Sequence, residues 1–144
     1  MPLTGEYAPS TSDWARKQAE LFESTNGAEG GTLMGRPIIL LTTLGAKSGK
    51  IRKTPLMRVE HAGEYLVVAS KGGADTQPGW YLNLQADPEV GVQIRDDRFT
   101  ARARTATEDE RPELWRIMTA AWPAYDEYQE KTDRQIPVVV LERQ

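Results

Sequence analysis

The chain has 144 residues, no cysteine, one histidine and a formal net charge of −3. That length fits a single domain over 1–144 with a core of its own, and zero cysteine excludes disulfides, thiolate metal sites, Fe–S clusters and a thiol nucleophile. The lone His61 leaves no imidazole set for zinc or iron, so no metal is expected, and the acidic balance argues against a nucleic-acid partner.

Ser12 or Asp13 can cap a helix running to about residue 24, with Trp14, Ala15, Leu21 and Phe22 at helical spacing. This helix belongs to an N-terminal extension over 1–35, which Asn26, Gly27, Gly30 and Gly31 interrupt. Residues 37–43 read as a buried strand, followed by a Gly- and Lys-rich loop over 45–50. A second extended stretch spans 52–60, where Pro55 argues for an edge or a bulge. After a turn at Gly63, a third strand spans 65–70 and ends at Gly72-Gly73. Pro78 opens a short helix through Trp80, Tyr81 and Leu84, which Asp87-Pro88 closes.

Val90, Val92 and Ile94 then alternate with polar or small residues, Asp96-Asp97 supply a tight turn, and Phe99, Ala101 and Ala103 alternate with Arg98, Thr100, Arg102 and Arg104. This is the pattern of a hairpin with one buried face. Thr107 and Glu110 have capping-box spacing ahead of Leu114, Trp115, Met118 and Trp122, and Pro112 moves the helix start a residue or two later. Pro123 begins a short helical piece to about 132, and the apolar run 136–141 is a last, central strand. The order predicts an α+β, mainly β protein: a barrel of about six mostly antiparallel strands with peripheral helices, and not a parallel βαβ sheet.

Four cations and no acid stand between 47 and 53, in an otherwise acidic chain. Glycine-permitted turns there expose backbone N–H groups, and Lys47, Arg52 and Lys53 add charge-assisted donors, a combination that can hold a phosphate or carboxylates. Walker spacing is absent, and an ordinary solvated loop is the alternative. Ser70-Lys71-Gly72-Gly73 repeats the theme at the end of another strand. Trp80, Tyr81 and Asn83 follow; the aromatics can wall a planar ring system or plug a barrel end, the latter being the expectation for at least one of them. Tyr125 and Tyr128 share a helix face and either line an acceptor pocket or pack an interface. No nucleophile, metal set or acid–base pair stands out, so reactivity must be borrowed from a cofactor.

These residues resemble the deazaflavin-dependent nitroreductase family, whose members are also described as coenzyme F420-dependent quinone reductases. The matching stretches are Leu41-Thr42-Thr43-Leu44-Gly45-Ala46-Lys47-Ser48-Gly49, Arg52 to Leu56, Val68-Ala69-Ser70-Lys71-Gly72-Gly73-Ala74 and Pro78-Gly79-Trp80-Tyr81-Leu82-Asn83-Leu84. Val92-Gln93-Ile94, Tyr125-Asp126-Glu127-Tyr128-Gln129 and Thr132-Asp133-Arg134-Gln135-Ile136-Pro137-Val138-Val139-Val140 complete a likeness that covers most of the chain, residues 36 to 142.

The resemblance implies a split β-barrel that transfers a hydride from reduced coenzyme F420, an 8-hydroxy-5-deazaflavin, to an electron-poor quinone, enone or lactone, or nitroaromatic. It implies that Lys47, Ser48, Arg52, Lys53, Thr54 and Pro55 help hold the coenzyme, with Lys47 and Arg52 at its phosphate and acidic tail. It implies that Ser70, Lys71, Gly72 and Gly73 meet the deazaflavin and its polyol linker, with Trp80 and Asn83 nearby. Tyr125 and Tyr128 would face the acceptor; one of these phenols, Ser70 or water would give the closing proton. Met57 stands where members that reduce nitroimidazole prodrugs carry tyrosine, and Lys131 where some carry an aromatic.

Two other readings share the residues: a barrel of the same class using flavin mononucleotide, and a non-catalytic deazaflavin carrier. No apolar run reaches bilayer length and no secretion signal is visible, so a cytoplasmic protein is expected, with peripheral membrane contact through Trp14, Leu21 and Phe22 as the alternative to packing on the domain.

Overall fold

The computed structural model describes residues 5–144. Its elements run α1 (Asp13–Ser24), β1 (Thr32–Leu33), β2 (Arg36–Leu44), β3 (Ile51–Met57), β4 (Val59–His61) and β5 (Glu64–Val68). A one-turn 3-10 segment (Lys71–Gly73), α2 (Gly79–Ala86), β6 (Glu89–Ile94), β7 (Asp97–Thr105), α3 (Arg111–Ala121), α4 (Ala124–Glu130) and β8 (Val138–Arg143) follow. The strands form one 8-stranded sheet in the order β1-β2-β6-β7-β8-β5-β4, with β3 on the other side of β2. Every pairing between named strands is antiparallel.

β3, beside β2, and β4, at the far end of that order, are consecutive in the chain and separated by Arg58 alone. The sheet must therefore curl until its ends meet at this residue, which gives a curled, split barrel. Arg58 stays on the β2 side of the seam: its N–H donates to the Pro37 carbonyl at 3.1 Å and its Nε to the Ile38 carbonyl at 3.1 Å.

Alternation along the strands sorts the core into an inside and two outer layers. Ile39 and Leu41 of β2, Val67 of β5 and Val139 and Leu141 of β8 point into the barrel with Val90, Val92 and Ile94. The intervening Ile38 and Leu40 face Ala19 and Phe22 of α1. Leu66, Val68, Val138 and Val140 face Leu114 and Met118 of α3 and Tyr125 of α4. The central place expected of the last strand follows, since β8 lies between β7 and β5. Arg104 of β7 pairs with Glu110 and, at 3.2 Å, with Glu142.

Several details depart from the expectation. The strand count rises above six because Thr32–Leu33 forms a short hairpin with Arg36-Pro37, and because Arg58 divides the second extended stretch into two strands with different partners. The third strand ends at Val68, two residues early, since Ala69 and Ser70 turn out of the sheet into the 3-10 segment. The hairpin turn is Arg95-Asp96, with Asp97 already paired to Ile94, and Arg95 takes the left-handed conformation at φ +54°. Thr107 and Glu110 do form the reciprocal box, Thr107 N–H to Glu110 Oε1 at 2.8 Å and Glu110 N–H to Thr107 Oγ1 at 3.3 Å, and α3 starts after it.

Pro55 sits on an edge strand, as its missing N–H demands: β3 has β2 on one side only. Its other edge is met by the N-terminal segment, where Tyr7 bridges Ile51 in parallel, Ala8 N–H donates to the Ile51 carbonyl at 2.8 Å and Ile51 N–H to the Glu6 carbonyl at 2.7 Å.

Candidate functional site

A cleft of about 950 Å³ opens between β3 and the loop after β5. One wall is Arg52 to Met57 of β3; the opposite wall is Ser70, Lys71 and Gly72. Trp80 and Asn83 of α2 form the floor, and Trp122, Tyr125 and Tyr128 close the far side. Residues 10–12, Trp14 and Met34 make the rim. Among the described residues, the charged ones in the lining are all cations, Arg52, Lys53 and Lys71. Among the described residues no group of three or more His, Cys, Asp and Glu gathers to hold a metal ion.

The cleft thus brings together Arg52, Lys53, Thr54, Pro55, Ser70 and Lys71, joined by Gly72, Trp80, Asn83, Tyr125 and Tyr128. Lys47, Ser48 and Gly73 do not line it. Lys47 and Ser48 are exposed on the β2–β3 loop, where Ser48 Oγ accepts the Lys50 N–H at 3.1 Å. That loop is tied to the floor by Asn83, whose Oδ1 accepts the Ala46 N–H at 2.9 Å while its Nδ2 donates to Thr43 Oγ1 at 3.1 Å. Gly73 serves packing: at φ +87° a Cβ there would stand 2.6 Å from the Tyr128 carbonyl oxygen, so α4 can cross the loop only over glycine. Tyr81 is the barrel plug, 4% exposed, with its hydroxyl 2.7 Å from Thr105 Oγ1. Trp80 meets it edge-on at 6.2 Å and presents its remaining surface to the cleft.

The cations differ in what they already hold. Arg52 Nη1 donates to the carbonyls of Ala8 at 3.1 Å and Pro9 at 2.9 Å. Lys53 pairs with Glu23 of α1 and lies over the Tyr7 ring at 5.0 Å from its centroid. Burial, then Glu20 and Glu23, raise the Tyr7 phenol above its ordinary value. Lys71 Nζ has one partner among the described residues, Thr76 Oγ1 at 3.1 Å.

The backbone beside Lys71 adds to this. Ser70 is right-handed at φ −81°, and Lys71 and Gly72 follow at φ +48° and +64°. A right-handed then left-handed pair turns successive N–H groups toward one point, an anion-binding concavity. The N–H groups of Ser70, Lys71 and Gly72 have no partner among the described residues. In the same cleft lining, Tyr125 is buried and its phenol is pushed up to about 12, first by burial and then by Tyr128, whose ring lies 6.1 Å away. Tyr125 therefore keeps its proton throughout the neutral range.

Residues 10–12, Trp122 and the carbonyls that hold Arg52 were not legible in the sequence. Residues 5–12 carry no periodicity, and their role follows from lying along the free edge of β3.

A family model for F420H(2)-dependent quinone reductase matches residues 14–143. The chain belongs to this family. An F420H(2)-dependent quinone reductase of Mycobacterium tuberculosis is 40% identical over 127 residues, which cover 85% of each chain. A solved F420-H2 dependent reductase is 52% identical, covering 74% of this chain and 95% of its own, with a TM-score of 0.68. Another solved relative, a domain-swapped dimer, is 47% identical, covering 92% and 100%, with a TM-score of 0.71. The cleft fits the coenzyme that the family, the mycobacterial relative and the first of these structures name: an anionic deazaflavin meets, among the described residues, a lining whose charges are all positive, unpartnered N–H groups and aromatic side chains. No helix of the described residues is long and apolar enough to cross a membrane.

Proposed function

We propose that the cleft is where this F420H2-dependent reductase seats its coenzyme beside a quinone-class acceptor. The observation that carries the reading is the sign of the lining: Arg52, Lys53 and Lys71 converge on one volume that no carboxylate among the described residues lines. Reduced coenzyme F420 supplies a hydride when bound. Lys71 and the N–H groups of Ser70 to Gly72 hold negative charge against one wall, and Arg52 and Lys53 hold the acidic portion against the other. Lys47 and Ser48 meet the coenzyme's outer tail from the loop that Asn83 anchors. Trp80 gives a flat contact, and Tyr125 and Tyr128 bound the acceptor's place and shed water from it.

The closing proton comes from Ser70 Oγ, Tyr128 Oη or water. Tyr125 contributes a fixed hydroxyl and a wall, since a phenol pushed up to about 12 is a poor acid at neutral pH. Met57 lines the acceptor end with a flexible thioether, which favours apolar ring systems over the nitroimidazoles that a tyrosine would hold. The rim supports contact with a lipid surface, where apolar quinones reside, because Trp14 and Met34 are 56% and 72% exposed while both line the cleft.

The test mixes purified protein with reduced coenzyme and a panel of quinones, enones and nitroaromatics and follows the return of deazaflavin absorbance. Acceptor-dependent oxidation is expected with quinones; tight binding without oxidation establishes a carrier instead. Tryptophan quenching by flavin mononucleotide and not by F420 would overturn the coenzyme assignment. Co-sedimentation with vesicles, lost in Trp14→Ser, tests the rim.

A further inference from the structure

Arg134 lies outside the cleft lining, yet its guanidinium grips the loop that forms one wall. Nε donates to the Ala74 carbonyl at 2.7 Å and Nη2 to the Ser70 carbonyl at 2.9 Å. Nη1 donates to Gln77 Oε1 at 2.8 Å and to the Ala69 carbonyl at 3.3 Å. Arg134 is itself fixed from α4, as its own carbonyl accepts Gln129 Nε2 at 2.7 Å and Gln129 Oε1 accepts the Ile136 N–H at 2.9 Å.

The loop needs such a hold. Lys71, Gly72 and Gly73 are three consecutive left-handed residues, and the first has a side chain. A non-glycine residue there costs roughly 1–2 kcal/mol and persists only where its surroundings fix it. A trans peptide points its C=O and N–H in opposite directions. With the Ala69 and Ser70 carbonyls turned to Arg134, the N–H groups of Ser70 and Lys71 in the same peptide planes point away from it, and both residues line the cleft. A guanidinium on those oxygens also polarises the peptides, which strengthens their N–H groups as donors.

We infer that Arg134 is a positioning residue of the coenzyme site: it fixes and polarises the Ser70–Lys71 backbone through its carbonyls and touches no ligand. The inference rests on the reading of the cleft given above. Arg134→Gln is measured against Arg104→Gln, which removes an arginine paired with Glu110 and, at 3.2 Å, with Glu142, away from this loop. Both variants are expected to melt at lower temperature than the wild type. Only Arg134→Gln is expected to speed amide hydrogen exchange over 69–77 and to raise the F420 dissociation constant, each by about tenfold, with a smaller change in turnover at saturating coenzyme.

Arg134→Lys keeps the charge but lacks the fork, so it is expected to remain defective; wild-type affinity in that variant overturns the inference. So does an exchange rate over 69–77 unchanged in Arg134→Gln, or a dissociation constant within twofold of wild type. Should Arg134→Gln not fold, Gln77→Ala removes one partner of the fork and is expected to shift both readouts the same way by about twofold; no shift overturns the inference. If wild-type protein fails to bind F420, the coenzyme reading falls, while the exchange arm still decides whether Arg134 holds the loop.

Discussion

The two walls of the cleft carry similar residues in opposite states. On the β3 wall, Arg52 and Lys53 already have partners, the Ala8 and Pro9 carbonyls and the Glu23 carboxylate. On the loop wall, Lys71 leans on one hydroxyl and three N–H groups stand without a partner among the described residues, while α4 packs against the loop at Gly73. A ligand entering the cleft must draw the first wall's cations from bonds they already make, and finds the second wall's donors waiting. Preorganised donors bind at lower cost than donors that must exchange partners. The loop wall should therefore dominate affinity, and the β3 wall should tune it.

The largest effect should come from disturbing the rigid wall. Gly73→Ala places a Cβ against the Tyr128 carbonyl at a left-handed position, and we expect a loss of about 3–4 kcal/mol by chemical denaturation. Next is Tyr125 of α4, which lines the cleft. Its phenol keeps a proton up to about 12 in the folded state, while the unfolded chain releases it near the ordinary value of 10.0. Between these pH values the folded state binds more protons, so stability falls as pH rises through the window and is unaffected below it. Wild type should lose about 2–3 kcal/mol relative to Tyr125→Phe from pH 10 to 12.

Lys71→Ala should raise the coenzyme dissociation constant about tenfold, and less so at high salt. Arg52→Ala should raise it by only about threefold, because the wild-type side chain first has to leave its carbonyls. A larger effect at Arg52 than at Lys71, in the same fluorescence titration, would reverse the ranking of the walls.

The contrast also separates what was legible in the sequence from what was not. Val90 to Ile94 announced itself by strict alternation, because one face had to be apolar, and the run ending at Leu141 by being apolar on both faces. The cationic loops were visible as a reversal of sign. Their working state was not, because it depends on contacts far along the chain, such as Arg52 with Ala8, 44 residues away, and Arg134 with Ala69, 65 away. Gly73 and Asn83 also have structural tasks that the sequence did not announce: Gly73 makes room for the α4 backbone, and the Asn83 amide bonds Ala46 and Thr43 while its residue lines the cleft. The hairpin turn stood one residue earlier than expected because Arg95 took the left-handed conformation, which arginine does not advertise.

The bridge between Tyr7 and Ile51 has a further consequence. An uncovered border of β3 would present a row of free amides and carbonyls to any extended peptide, including another copy of the enzyme. Trimming the first dozen residues should thus do more than release Arg52: it should leave a sticky seam, seen as concentration-dependent self-association in light scattering.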